Sequence, residues 1–170
     1  NGGFVETSGA AVDFNGARID TSAAAGKGGN WLIDPYNLAI DAGAATTIST
    51  NLASTNVTLQ TTASGTSAIG TASSGDGDII INSDITWASG NTLTLDAYHG
   101  ITVNGNVTVA GAGGVVLTTN DGGTGGDYNF TIGNGLNYTG AGGSLTINGS
   151  PYTLLYTMGD FAALSSASGN

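Results

Sequence analysis

Apolar residues alternate with Thr, Asn, Ser and Asp in short runs along most of the chain, and Asn or Gly closes each run. Alternation with a period of two predicts strands that have one buried and one open face. The runs are themselves repeated. Asp78 to Ala97 (DIIINSDITWASGNTLTLDA) and Gly100 to Thr119 (GITVNGNVTVAGAGGVVLTT) superpose without a gap at an offset of 22. Ile79 falls on Ile101, Ile81 on Val103, Ile85 on Val107 and Trp87 on Val109. Leu93 then falls on Val115, Leu95 on Leu117 and Asn82 on Asn104. Each unit holds three strands and three turns. A third copy follows a seven-residue insertion: Phe130, Ile132, Leu136 and Tyr138 sit 29 positions beyond Ile101, Val103, Val107 and Val109. Leu145 and Ile147 continue at an offset of 30. Upstream, Phe4, Val12 with Phe14, Ile19, Leu32, Leu38 with Ile40, Ile48, and Val57 with Leu59 mark further strands.

A repeat of about 22 residues with three period-two strands predicts an all-β chain, a right-handed parallel β-helix with Gly-rich loop insertions. One coil cannot bury its inward side chains alone, but coils stacked at about 4.8 Å build a continuous apolar column. Asn at the corners can then stack on its counterpart in the next coil. An antiparallel sandwich predicts two-residue hairpins and no such offset. Two loops leave this frame, Thr61 to Gly75 and Asn120 to Asp127, both rich in small residues. Pro151 to Thr157 reads as a last strand. Helix is expected only at Asp160 to Ala167, with Asp160 as N-cap. The expectation is one β-helical segment over residues 1–170, an internal piece of a longer chain, because no cap for the final coil and no export signal is legible.

Composition narrows the function classes. Ile, Leu, Val and Phe number 36, close to the level at which a packed core becomes doubtful, but 24 Thr in register favour strands over disorder. Arg18 and Lys27 face 12 acidic residues, a net charge of −10. This excludes a phosphate-neutralising stripe for nucleic acid and the basic cluster that anionic lipid requires. With no Cys, disulfides and thiolate metal sites are excluded. No apolar run of transmembrane length occurs.

Catalytic chemistry has little material. His99 is the one His and occupies the repeat position of Gly77, a corner, where it reads as a surface turn residue. Asp76 and Asp78 point to one face of a strand and do not flank a scissile bond as glycosidase carboxylates do. No catalytic residue and no cofactor is expected. Gly122 to Phe130 (GGTGGDYNF) partly matches the calcium-binding nonapeptide and makes Asp121 and Asp127 the weak calcium candidates. The match lacks an apolar residue at Asn129 and has no tandem copy. Among the aromatic residues, Tyr98 and Tyr128 lie nearest the corners and are the weak candidates for stacking on a sugar, with corner packing as the blander reading. Four sequons, at Asn56, Asn106, Asn129 and Asn137, are no more than this Asn and Thr content produces by chance.

Three stretches carry a resemblance: NGGFVETSG (Asn1 to Gly9), ARIDTSAAAGKGGNWLIDP (Ala17 to Pro35) and YTLLYTMGDFAAL (Tyr152 to Leu164). They resemble the large secreted filamentous-haemagglutinin-like adhesins of Gram-negative two-partner secretion systems. The resemblance implies a shaft segment of a secreted or surface-attached exoprotein, exported in full length through an outer-membrane transporter. It implies a stiff, non-enzymatic rod whose partner is a host-cell or matrix glycan or protein receptor. Neighbouring copies joined end to end, as in a self-assembling filament, are a further possible partner. A carbohydrate-binding or polysaccharide-cleaving β-helix module is the alternative from a different class.

Overall fold

The computed structural model describes residues 1–62 and 76–167. The chain is a parallel β-solenoid of about five turns, and its mean spacing is ~26 residues. Its strands are β1 (Phe4–Ser8), β2 (Asn30–Asp34), β3 (Leu38–Ile40), β4 (Asn56–Gln60), β5 (Ile79–Ile81), β6 (Ile85–Trp87) and β7 (Thr92–Asp96). They continue as β8 (Ile101–Val103), β9 (Val107–Val109), β10 (Gly114–Thr118), β11 (Tyr128–Phe130), β12 (Leu136–Tyr138), β13 (Ser144–Ile147) and β14 (Ser150–Tyr152). Two helices complete it, α1 (Ala42–Asn51) and α2 (Met158–Ala167). Three sheets form the sides, in the orders β1-β2-β4-β7-β10-β13-β14, β11-β8-β5-β3 and β12-β9-β6.

Every inward position stacks on its equivalent in the next coil. The seven-stranded sheet contributes Trp31–Val57–Leu93–Val115–Leu145 and Ile33–Leu59–Leu95–Leu117–Ile147. The second sheet contributes Leu38–Ile79–Ile101–Tyr128 and Ile40–Ile81–Val103–Phe130. The third contributes Ile85–Val107–Leu136 and Trp87–Val109–Tyr138. Between the third and fourth coils the offset is 22 in all three sheets, and all six sequence pairings are found. Asn104 Nδ2 donates to Asn82 Oδ1 at 2.9 Å, as the stacked-corner reading predicts. Trp87 and Trp31 both lie inside the column. At the corner beneath β10 the Trp87 indole N–H donates to Asn91 O at 2.9 Å, and a Cβ on Gly113 would collide with that pair.

The 22-residue period does not extend over the whole chain. β1 to β2 and β2 to β4 are 26 apart, β4 to β7 is 36, and β10 to β13 is 30. The expected third copy is also shifted. Tyr128 pairs with Ile101 and Phe130 with Val103, so Phe130 sits one alternation later than predicted, and Ile132 falls in a fully exposed turn. The insertion is split: most of it lengthens the corner before β11, and two residues lengthen the turn before β12. A run of alternating apolar residues looks the same after a shift of two, so periodicity could not decide this register. The pairings of Leu136 and Tyr138 with β9 and of Leu145 and Ile147 with β10 are found as expected.

The strand expected at Ile48 is α1. Asp41 caps it, accepting from Ala44 N at 2.9 Å, and Ala44, Ala45, Ile48 and Leu52 turn inward. Thr46, Thr47 and Thr50 bond back to the carbonyls of Ala42, Gly43 and Thr46, which satisfies their hydroxyls within the helix. The helix stands where the third sheet would need one more strand, and Ser49 Oγ accepts from Thr86 N in β6. The segments around Phe14 and Ile19 form no strands either. They lie over α1, whose Thr47 and Asn51 accept from Gly16 N and Ile19 N, while Asn51 Nδ2 donates to Ala17 O. Phe14 meets Trp31 edge-on at 5.7 Å. Backbone groups that a neighbouring strand would satisfy are thus satisfied by helix side chains.

At the other end Asn148 (φ 46°) and Gly149 (φ 76°) turn the chain back so that β14 pairs antiparallel with β13. Two consecutive positive φ values suit the Asn-Gly dipeptide and match the twist of the paired strands. Helix α2 starts at Met158, two residues before the expected start. Asp160 is not its N-cap: Thr157 Oγ1 accepts from Asp160 N, and Asp160 Oδ2 accepts from Thr157 N and Tyr156 N. The loop expected from Thr61 to Gly75 lies, from residue 63 onward, outside the described residues.

If the ladders carry the stability, Leu95→Ala costs about 3 kcal/mol in urea unfolding, whereas Thr94→Ala on the outward side changes it by less than about 0.5 kcal/mol.

Candidate functional site

Outward positions of the seven-stranded sheet form rows as regular as the inward ones. One row follows the strand ends: Ser8 opposite Asp34, Asp34 continuing to Gln60, Gln60 opposite Asp96, and Asp96 opposite Thr118. Asp34 and Asp96 are two strands apart, roughly 10 Å along the axis. Gln60 lies between them and donates through Nε2 to Asp96 Oδ2 at 3.2 Å. The other carboxylate oxygen of Asp96, and Oδ1 of Asp34, are buried without a hydrogen-bond partner.

The corner loop after β10 completes this cluster. Asp121 N donates to Ala97 O at 3.1 Å, which brings the Asp121 carboxyl within hydrogen-bonding reach of Asp96. Burial raises the Asp96 pKa above 3.8, the Asp121 charge and hydrogen bond raise it further, and Asp34 adds to the effect. The Gln60 hydrogen bond opposes these. Asp34 is raised by burial and then by the charge of Glu6. Chemically, the row offers hydroxyl-rich ligands a line of acceptors and one amide.

The loop itself is clamped by Asn120 (φ 60°), whose side chain donates to Gly126 O at 2.9 Å and accepts from Gly126 N at 2.8 Å. Asp127 is exposed, and its Oδ1 accepts from Tyr128 N. Asp121 and Asp127 therefore face different partners. Among the described residues no three His, Asp or Glu side chains gather as a metal-ligand set.

Tyr98 and Tyr128 are half-buried. The ring of Tyr98 lies against Gly77, Gly122 and Gly123, where a Cβ would collide with it, so the glycines of adjacent coils form its slot. Tyr128 is not a corner residue. It takes an inward ladder position, and its hydroxyl donates to Asn148 Oδ1 at 2.7 Å.

His99 stacks over Gly77, as the repeat places it, and its backbone N donates to Gly77 O. Its Nδ1 is 2.7 Å from Asp78 Oδ1, which also accepts from Gly100 N. Asp78 is thereby occupied in tying one corner to the next, and Asp76 does not join it there. The residues that sequence reasoning passed over are Asp34, Gln60 and Asp96. Their signal was the ending shared by NWLID and TLTLD, two strands that finish on Asp, but the spacing between them is irregular and hides their common row.

No protein-family model matches the chain, and comparison with curated proteins and with solved structures returns no match. The class is therefore defined by the fold itself, a parallel β-solenoid with a carboxyl row and one clamped corner loop on its surface. No helix among the described residues is long and apolar enough to cross a membrane.

A carboxyl whose folded pKa is raised binds its proton more tightly in the folded state, so it favours folding below pH 3.8 and loses that contribution as pH rises through the folded value. Asp96→Asn keeps the shape, can donate to Asp121 and carries no charge. It raises the thermal midpoint at pH 7 by about 2–4 °C, equivalent to roughly 1 kcal/mol, and reduces the decline between acid and neutral pH in circular dichroism melts.

Proposed function

We propose that the chain is a non-enzymatic structural and adhesive segment of a secreted bacterial surface exoprotein of the filamentous-haemagglutinin-like kind. The observation that carries this reading is the side-chain column, filled coil after coil by Val, Ile, Leu and Trp, with the acidic residues outside it. Such a column makes a stiff rod and leaves the corners as the places where sequence can vary without breaking the stack. The Asn120–Asp127 loop is one such place, longer than the Ala97–Gly100 corner beneath it and held in shape by its own Asn clamp. Its partner on this reading is a glycan or protein receptor on a host cell or matrix. Stacking by nearest-neighbour contacts also suits a protein that folds coil by coil after passing an outer-membrane transporter.

The carboxyl row favours one second reading, a carbohydrate-binding or carbohydrate-cleaving module. Asp34 and Asp96 lie on one outward row, and burial raises both above the usual carboxylate range, as suits a general acid. The two readings separate in one pair of assays on the purified chain, a glycan and matrix-protein array and a reducing-sugar assay on polysaccharides. The adhesive reading expects saturable binding that is lost when residues 119–127 are replaced by the Ala97–Gly100 corner, with no sugar released. Sugar release abolished by Asp96→Asn overturns it in favour of the second.

A further inference from the structure

The Asn120–Asp127 loop is tied down from both sides, and by unequal means. From beneath, the shorter corner of the preceding coil supplies three consecutive carbonyls. Asn120 N donates to His99 O at 2.9 Å, Asp121 N to Ala97 O at 3.1 Å and Gly123 N to Tyr98 O at 3.0 Å. The Tyr98 ring packs under Gly122 and Gly123. Within the loop, the Asn120 amide clamps Gly126.

From above, the two stems of the loop converge on one atom at the end of β13. Asn148 Oδ1 accepts from Thr119 N at 3.0 Å, immediately before the loop, and from the Tyr128 hydroxyl at 2.7 Å, immediately after it. Thr119 is buried, so its N–H needs an acceptor within the protein. The Asn148 backbone N donates to Leu117 O at 2.8 Å, which fixes the residue itself to β10. Asn148 also opens the hairpin to β14 with a positive φ, and Gly149 follows with another. A two-residue turn of that kind accepts Asn-Gly, Asp-Gly or Gly-Gly. The turn therefore does not require a side chain at Asn148, whereas the two stems do.

We propose that Asn148 is the positioning residue of the Asn120–Asp127 loop: its one side-chain oxygen holds the two stems together, so that the loop meets a partner already shaped. A preformed loop avoids the ordering cost that a free Gly-rich segment incurs on binding. The part in recognition rests on the adhesive reading of the loop, and the part in positioning rests on the hydrogen bonds alone. Both aromatic residues beside the loop enter the same frame. Tyr98 is its floor, and Tyr128 is a stem held through its hydroxyl.

Amide hydrogen exchange of the 170-residue chain, followed by nuclear magnetic resonance, tests this with two variants that both suit the turn. Asn148→Gly keeps the positive φ and removes the acceptor, whereas Asn148→Asp keeps both. In the expected result, Asn148→Gly speeds exchange roughly fivefold or more at Thr119 and Gly126 and leaves the amides of β7 unchanged. Asn148→Asp exchanges close to the native rate. Unchanged exchange at Thr119 and Gly126 in Asn148→Gly overturns the proposal. Equal acceleration in β7 overturns it too, as does an Asp variant that behaves like the Gly variant. On the glycan and matrix-protein array, native binding weakens in Asn148→Gly and persists in Asn148→Asp; equal binding by all three chains removes the part in recognition. An array with no native binding sinks the adhesive reading alone, and the exchange measurement still decides the positioning role.

Discussion

A side chain that points into a coil of this fold has no opposing layer of its own to pack against, so it is covered by the equivalent residue of the coil above and the coil below. The whole molecule follows from keeping those equivalents in register. Ile33, Leu59, Leu95 and Leu117 come from coils of unequal length, yet they stand in one file because the strands pair residue for residue. Extra residues are accepted only where no ladder passes. The corner before β11 and the turn before β12 absorb the insertion in the fifth coil, and the ladders continue past both.

The same stacking explains the cost on the outer surface. Parallel register places like residues above one another whether or not they attract. Asn104 over Asn82 is favourable because an amide both donates and accepts. Asp96 within two strands of Asp34 and in contact with Asp121 is not, since carboxylates only accept when ionised. Gln60 between them relieves one oxygen and leaves another buried and unpartnered.

The strand pattern, the stacked corners and the equivalence of His99 with Gly77 were legible in the linear sequence, because two consecutive coils share a gapless offset of 22. The candidate site was legible only in part. The Asn120–Asp127 loop was visible as an insertion, and Asp121 as one of its acids. The row that Asp121 joins was not, because the offsets separating Asp34, Gln60 and Asp96 are unequal. Tyr128 was misplaced for a related reason: following Gly and Asp it looked like a turn, while Phe130 and Ile132 offered an equally regular but wrong pair. The Asn148–Gly149 hairpin carried a strong signal of its own, but it sat beside a repeat whose own turns are corners between parallel strands.

Taken alone, then, the sequence determined that inward apolar and outward polar positions alternate, that coils stack, and that the surface is acidic. Those properties are local and periodic. The tertiary structure decided what fills a position when the period breaks. Ala42 to Asn51 is helix and not strand because Thr86 N donates to its Ser49 and Ala17 O accepts from its Asn51. Asp34 and Asp96 enter one outward row, and Asp121 comes within reach of Asp96, for the same reason. Register between coils, which no single run of residues encodes, sets which surfaces meet.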